Sequence, residues 1–154
     1  MIEFMEQAWA EARQGMLSGD GGPFGAVVVK DGQVIAAGHN QVLISHDSTA
    51  HAEIAAIRRA EQLLGTHDLS GCELYTTCYP CPMCLGAVLW SRIKKVYYAN
   101  TPEQAAAIGF DDKVFYDAVH DPEHNEMIEM VHFNNKACED LFIEWQNLAN
   151  HQMY

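Results

Sequence analysis

The stretch Thr77-Cys78-Tyr79-Pro80-Cys81-Pro82-Met83-Cys84-Leu85 sets two thiols, Cys81 and Cys84, three positions apart at an expected helix start. Residues at that spacing share nearly one helical face. The free N–H groups of a first turn favour anions, so both thiols ionise readily there. Paired thiolates suit a soft cation, zinc above all. Upstream, His51-Ala52-Glu53 supplies a third donor in His51. Three protein ligands leave zinc a position for water, whereas a closed structural site takes four. Zinc lowers the pKa of such a water from ~15.7 toward ~7. Adding hydroxide to an aromatic carbon that bears an amino group also needs a proton carrier, and Glu53 suits that task. Two residues apart is about 200° around a helix. His51 and Glu53 therefore converge only on a site lying off the helix end.

H-x-E followed by P-C-x-x-C is the signature of zinc-dependent base deaminases. The combination is specific; a lone C-x-x-C is not. Other readings stay open at this stage. Cys81-Pro82-Met83-Cys84 also fits a redox pair of the thioredoxin type. Glu53 also fits a helix-dipole partner. Cys78, Cys81 and Cys84 are evenly spaced, and with His51 they could close a structural Cys3His site in a binding module that does no chemistry. That arrangement leaves Glu53 without a role.

The elements that must carry these residues fit one domain of 154 residues, of which 49% are apolar. Five cysteines is an odd number, and Cys78, Cys81 and Cys84 crowd together. In a cytosolic chain that favours metal or catalysis over disulfides. A net charge of −12 argues against nucleic acid as the main partner. The short basic clusters (Arg58, Arg59, Arg92, Lys94, Lys95) read as solvated surface. The acidic, amphipathic N-terminus lacks a signal-peptide pattern and no apolar run reaches membrane-spanning length, so the expected compartment is the cytosol.

Ile2, Met5, Trp9, Ala12 and Met16 predict an amphipathic helix over 2–18. Phe24 to Lys30 predicts a buried strand, Asp31-Gly32 a tight hairpin, and Gln33 to Gly38 its return. His39 to Thr49 reads as loop. A helix over 50–64 follows, capped by Thr49 or a neighbour. Cys72–Thr77 predicts a strand, Pro82 opens a helix through about Ser91, and Lys95–Ala99 predicts another strand. Thr101-Pro102-Glu103-Gln104 starts a helix that Gly109 stops, and Asp111–Val119 fits a short helix. Met127–Phe133 alternates as an edge strand would. Asn135–Asn150 reads as a final helix. Together these imply one sheet between helical layers.

At this point a resemblance emerges. The stretches Gly21-Gly22-Pro23-Phe24-Gly25-Ala26, Thr49-Ala50-His51-Ala52-Glu53 and Pro80-Cys81-Pro82-Met83-Cys84-Leu85-Gly86-Ala87 resemble the cytidine deaminase superfamily. They are shared with tRNA adenosine deaminases. Gly109-Phe110-Asp111-Asp112 and the terminal Tyr154 are more similar to small bacterial guanine deaminases. The likeness runs almost the length of the chain. It implies a three-layer α/β/α fold around a five-stranded mixed sheet, a Zn2+ cofactor and a small purine base as substrate. It also implies a homodimer whose C-terminal segment, about 135–154, crosses to cover the partner's site. His51, Cys81 and Cys84 would hold the metal and Glu53 would be catalytic. Asn40 would hydrogen-bond the base, Phe24 pack against it, Asp112 accept from ring N–H groups, and Tyr154 close the pocket. Ala52 is small enough for a base to approach its N–H. By itself Phe24 reads as core, Asn40 as a turn residue and Asp112 as a cap. Tyr79 is a departure, because both deaminase groups usually carry Glu there. That phenol keeps another aminated heterocycle (an aminopurine, a pterin, a triazine) in view beside guanine.

Overall fold

The computed structural model describes all 154 residues. Helix α1 (Ile2–Ser18) leads into strand β1 (Gly25–Lys30), which turns through Asp31-Gly32 into β2 (Gln33–His39). Both turn residues have positive φ, 51° and 74°. That is the mirror-image turn whose twist matches an antiparallel hairpin. A single-turn helix α2 (Val42–Ser45) lies inside the expected loop, and α3 (Ala52–Leu64) follows it. Then come β3 (Cys72–Cys78), α4 (Pro82–Trp90) and β4 (Lys95–Asn100). The chain ends with α5 (Pro102–Ala107), α6 (Lys113–His120) and α7 (Lys136–Asn147).

The sheet has the order β2-β1-β3-β4, with β3 and β4 parallel and the other pairs antiparallel. Strand residues alternate between two faces. Val27, Val29 and Tyr75 point to one face and pack with Ala8, Phe4 and Met5 of α1. Ala26, Val28, Ala36 and Leu74 point to the other, under Ala56, Ile57 and Ala60 of α3 and Val88 of α4. This is the expected three-layer α/β/α sandwich around a mixed sheet.

The sheet has four strands rather than five. Met127–Phe133 forms no ladder, and Val131 and Phe133 are 74% and 80% exposed. Alternation specifies which face a strand would bury, but a ladder also needs a neighbouring backbone. Helices α5 and α6 follow β4, and no strand pairs with its outer edge. Of Thr49 and its neighbours, His51 takes the N-cap position of α3, without a side-chain capping bond; the Thr49 hydroxyl donates to Asp47 Oδ1, 2.6 Å away. Helix α5 starts where its sequence predicted and carries a capping box, with Thr101 and Gln104 exchanging bonds.

Candidate zinc and base-binding site

Two helix starts meet on one side of the sheet's end. His51 is the extended N-cap residue of α3, and Cys81 is the extended N-cap residue of α4. Pro82 occupies the first position of α4, where the missing N–H costs nothing. Cys84 then falls in the same first turn, fully buried. These three side chains form a cluster whose ligand atoms all lie within 4.8 Å of one another. The His51 Nδ1 atom is 3.6 Å from Cys81 Sγ and 3.5 Å from Cys84 Sγ. Around a tetrahedral ion with Zn–S ~2.3 Å and Zn–N ~2.0–2.1 Å, nitrogen and sulfur stand about 3.5–3.6 Å apart. The donor set therefore fits zinc in both chemistry and spacing.

Glu53 lies beside this cluster at 6% exposure. Its Oε2 accepts from Cys84 Sγ at 3.4 Å, and its Oε1 accepts from Thr76 Oγ1 at 3.2 Å. The convergence off the helix end is what the 200° separation of His51 and Glu53 demands. Charges in the cluster are shared unequally. The Cys84 thiol beside Cys81, helped by His51, pulls the Cys81 pKa down to about 4. The same Cys81 sulfur, with burial, pushes Cys84 far up. Without metal the pair is thus one thiolate and one thiol. Contact with Cys81 raises His51, and burial raises Glu53.

Cys78 lies outside the cluster. Its sulfur faces the Thr101 carbonyl at 4.0 Å, and burial pushes its pKa up to about 11. A buried thiol that keeps its proton and has no place among the ligand atoms acts as a packing residue. The even spacing of Cys78, Cys81 and Cys84 does not survive folding, because Cys78 ends a strand while the other two begin a helix. Cys78→Ser should accordingly leave zinc content at about one per chain and activity within about twofold, as for a conservative change away from the metal. Metal analysis and a rate assay read this directly, and loss of zinc would restore the closed four-ligand site.

The remaining candidates surround the cluster. Asn40 is 5% exposed, and its Oδ1 accepts from Gly22 N–H at 3.3 Å and Val42 N–H at 3.2 Å. A Cβ on Gly21 would come within 2.0 Å of that oxygen, so the turn has to be glycine. Phe24 packs edge-to-face on Phe110, with centroids 4.9 Å apart. Ala52, fully buried, begins α3, where first-turn N–H groups have no partner within the helix. Asp112 has a buried Oδ1 without a hydrogen-bond partner. Burial and then the Cys81 charge raise its pKa, while His51 lowers it, which marks its proximity to the donor set.

Tyr154 is not brought to this cluster. It packs near Trp90 and His67, in a groove with Ile54, Ile57 and Ala87. His67 follows the far end of α3, some 20 Å of helix away at ~1.5 Å per residue. Two contributors went unnoticed in the sequence: Thr76, which holds Glu53, and Tyr116, whose hydroxyl donates to the Pro80 carbonyl; Phe110, quoted there without a role, faces Phe24. Thr76 left no distinctive signal, since Glu73, Tyr75 and Thr77 stand in the same strand. Tyr79 is half-buried and meets Tyr98 edge-to-face at 5.0 Å.

The family model for the cytidine and deoxycytidylate deaminase zinc-binding region matches residues 1–100. Guanine deaminase of Bacillus subtilis is 46% identical over 98% of this chain and 97% of its own length. The X-ray structure of that enzyme superposes with a TM-score of 0.94, covering 99% of this chain and 97% of the other. A tRNA-specific adenosine deaminase of Agrobacterium fabrum is 45% identical over 68% of both chains. A guanine deaminase structure from Nitrosomonas europaea is 41% identical, with a TM-score of 0.67, covering 71% of this chain and 63% of that one. The His-Cys-Cys donor set and the buried glutamate beside it thus occur in a chain that belongs to the zinc-binding cytidine and deoxycytidylate deaminase family.

Proposed function

We propose that the protein is a hydrolytic guanine deaminase, turning guanine and water into xanthine and ammonia. The carrying observation is the buried Glu53 carboxyl, held by Thr76 against a cluster that offers only three metal ligands. His51, Cys81 and Cys84 would hold the zinc, which when bound supplies a Lewis acid and a water acidic enough to react at neutral pH. Glu53 accepts a proton from the water that adds to C2. It delivers that proton to the ring nitrogen, then moves the proton of the new C2 hydroxyl onto the amino group, so that C2=O forms, the exocyclic C2–N bond breaks and ammonia leaves. Burial keeps the Glu53 proton exchange away from bulk water.

The base is placed by the surrounding side chains. Phe24, braced by Phe110, packs on the ring. Asn40 hydrogen-bonds its edge, and the Ala52 N–H lies where a ring can approach it. Asp112 accepts from ring N–H groups with its unpartnered oxygen. A purine edge bearing both an acceptor and N–H donors satisfies these groups together. The acidic balance of −12 favours a small neutral base over a tRNA. No helix is long and apolar enough to cross a membrane, in keeping with work in the cytosol.

The reading includes one catalytic domain, residues 1–154, acting as a homodimer. Helix α7 supports this, since none of its residues is buried and Leu141, Phe142, Ile143 and Trp145 are exposed. An amphipathic helix with a free apolar face calls for a partner surface. In the dimer the 135–154 segment of one copy covers the site of the other and Tyr154 closes it. Removing His151–Tyr154 should then raise the guanine KM about tenfold, the worth of one well-made contact, with zinc retained. Steady-state kinetics on the truncated chain measure this, and an unchanged KM removes the tail from the site.

The test of the function itself is ammonia release from guanine against adenine, cytosine, a tRNA anticodon loop, pterins and triazines. Turnover of the RNA without turnover of guanine would defeat the assignment. A faster reaction on a pterin or triazine would trace to Tyr79, the phenol standing where the resemblance leads one to expect a carboxylate.

A further inference from the structure

We propose that His39 is a positioning residue for base binding: clamped between Glu11 and Asp20, it holds the Asp20–Gly22 turn that aims the Asn40 amide. The proposal rests on the guanine reading for the identity of the ligand. His39 is the last residue of β2, immediately before Asn40, and its side chain is 9% exposed. Its Nδ1 lies 3.1 Å from Glu11 Oε2 on α1, and its Nε2 lies 2.9 Å from Asp20 Oδ2 in the turn after α1. The ring thus bridges the two carboxylates, one on each nitrogen. The ring is also built into the helix surface. A Cβ on Gly15 would come within 2.4 Å of His39 Cδ2, so α1 leaves a notch for it.

The Asp20 arm leads to the base. The Asp20 carbonyl accepts from the N–H groups of Leu43 and Ile44, both at 3.0 Å, and so pins the segment after Asn40. Two residues on, Gly22 donates to Asn40 Oδ1 from one side while Val42 donates from the other. Both neighbours are backbone donors, so only the amide oxygen can occupy that place. The Nδ2 group is left as the free end, a hydrogen-bond donor for a base. His39 thus ties the two strands of backbone that orient this amide. The Glu11 arm, by contrast, reaches only the outer helix. One ring serves two tasks that can be separated by mutation.

His39→Leu keeps an apolar body and removes both ring nitrogens, and Asp20→Ala removes only the inner arm. Each should raise the guanine KM about tenfold, as for one misaligned hydrogen bond, with kcat within about twofold and zinc content unchanged. Glu11→Ala should lower the melting temperature comparably yet leave KM within about twofold. The His39→Leu/Asp20→Ala double variant should be no worse in KM than either single variant, because coupled residues are not additive. An unchanged KM in His39→Leu, an equal KM rise in Glu11→Ala, or additive effects in the double variant would overturn the proposal. If His39→Leu does not fold, Asp20→Ala against Glu11→Ala decides it. If the wild type releases no ammonia from guanine, the functional reading fails instead. The clamp is then tested by calorimetry with 8-azaguanine, where tenfold weaker binding in His39→Leu and Asp20→Ala but not in Glu11→Ala supports it and any other pattern refutes it.

Discussion

Glu53→Gln should lower kcat by about 10²–10⁴-fold, the usual worth of a positioned acid–base group, while zinc content and fold stay intact. Gln keeps the shape and can still accept from Thr76, so the change isolates the proton-carrying function. KM should move little, since Glu53 is argued to act on the proton rather than the ring. Metal analysis with stopped-time ammonia assays gives both readouts, and a variant retaining more than a tenth of the rate would remove Glu53 from the chemistry.

The same substitution has a consequence for stability with a definite sign. Burial raises the Glu53 pKa above its ordinary 4.5. Such a group favours the folded state in full below the unfolded pKa, and that contribution is lost as pH rises through the folded value. At neutral pH, above the unfolded pKa, folding must either bury the charge or take up a proton, and glutamine incurs neither cost. With metal stripped from both proteins, Glu53→Gln should melt above the wild type at pH 7, and the gap should close below pH ~4.5. A site that stabilises on losing its catalytic group is one where activity and stability pull apart.

The second large effect is expected at the metal. Cys81→Ser should reduce zinc from about one per chain to near none and abolish turnover, because a hydroxyl does not replace a thiolate at zinc. Bound metal also stabilises by mass action: at zinc a thousandfold above its Kd, ligation contributes about 4 kcal/mol. For a chain of this size that corresponds to roughly 8–16 °C in Tm. Chelation of the wild type should reproduce that loss, and Cys81→Ser should be insensitive to the chelator. Binding is also proton-linked. Cys84 is pushed far up beside Cys81, so ligation near neutrality expels its proton. Zinc affinity should therefore weaken about tenfold per pH unit on acidification, and more steeply once His51, raised by Cys81, protonates. Calorimetry in buffers of different ionisation enthalpy counts the released protons, and zero would contradict the thiol–thiolate pair.

Much of the site was legible before folding because it is local. His51 and Glu53 sit in one first turn, and Cys81 and Cys84 in another, so their spacing already encodes direction. The hairpin, the capping box at Thr101 and the two core faces follow from short-range chemistry in the same way. What the spacing misread or left open has the opposite cause. Met127–Phe133 alternates like a strand, yet no backbone comes alongside it to complete a ladder. Cys78 has ligand spacing, yet it ends β3 and turns toward Thr101. Thr49 has capping chemistry, yet Asp47 takes its hydroxyl.

The amino-acid sequence by itself determined the donor types, the proton carrier and the sandwich, since each depends on neighbours within a turn or on period-two and period-3.6 patterning. Only the tertiary structure decided which thiols meet His51, that Thr76 holds Glu53, that Asp112 keeps an unpartnered oxygen, and that His39 links α1 to the Asn40 turn. Those contacts join residues far apart in the chain. Their geometry is set by how α1, α3 and α4 pack on the sheet, which no local spacing records.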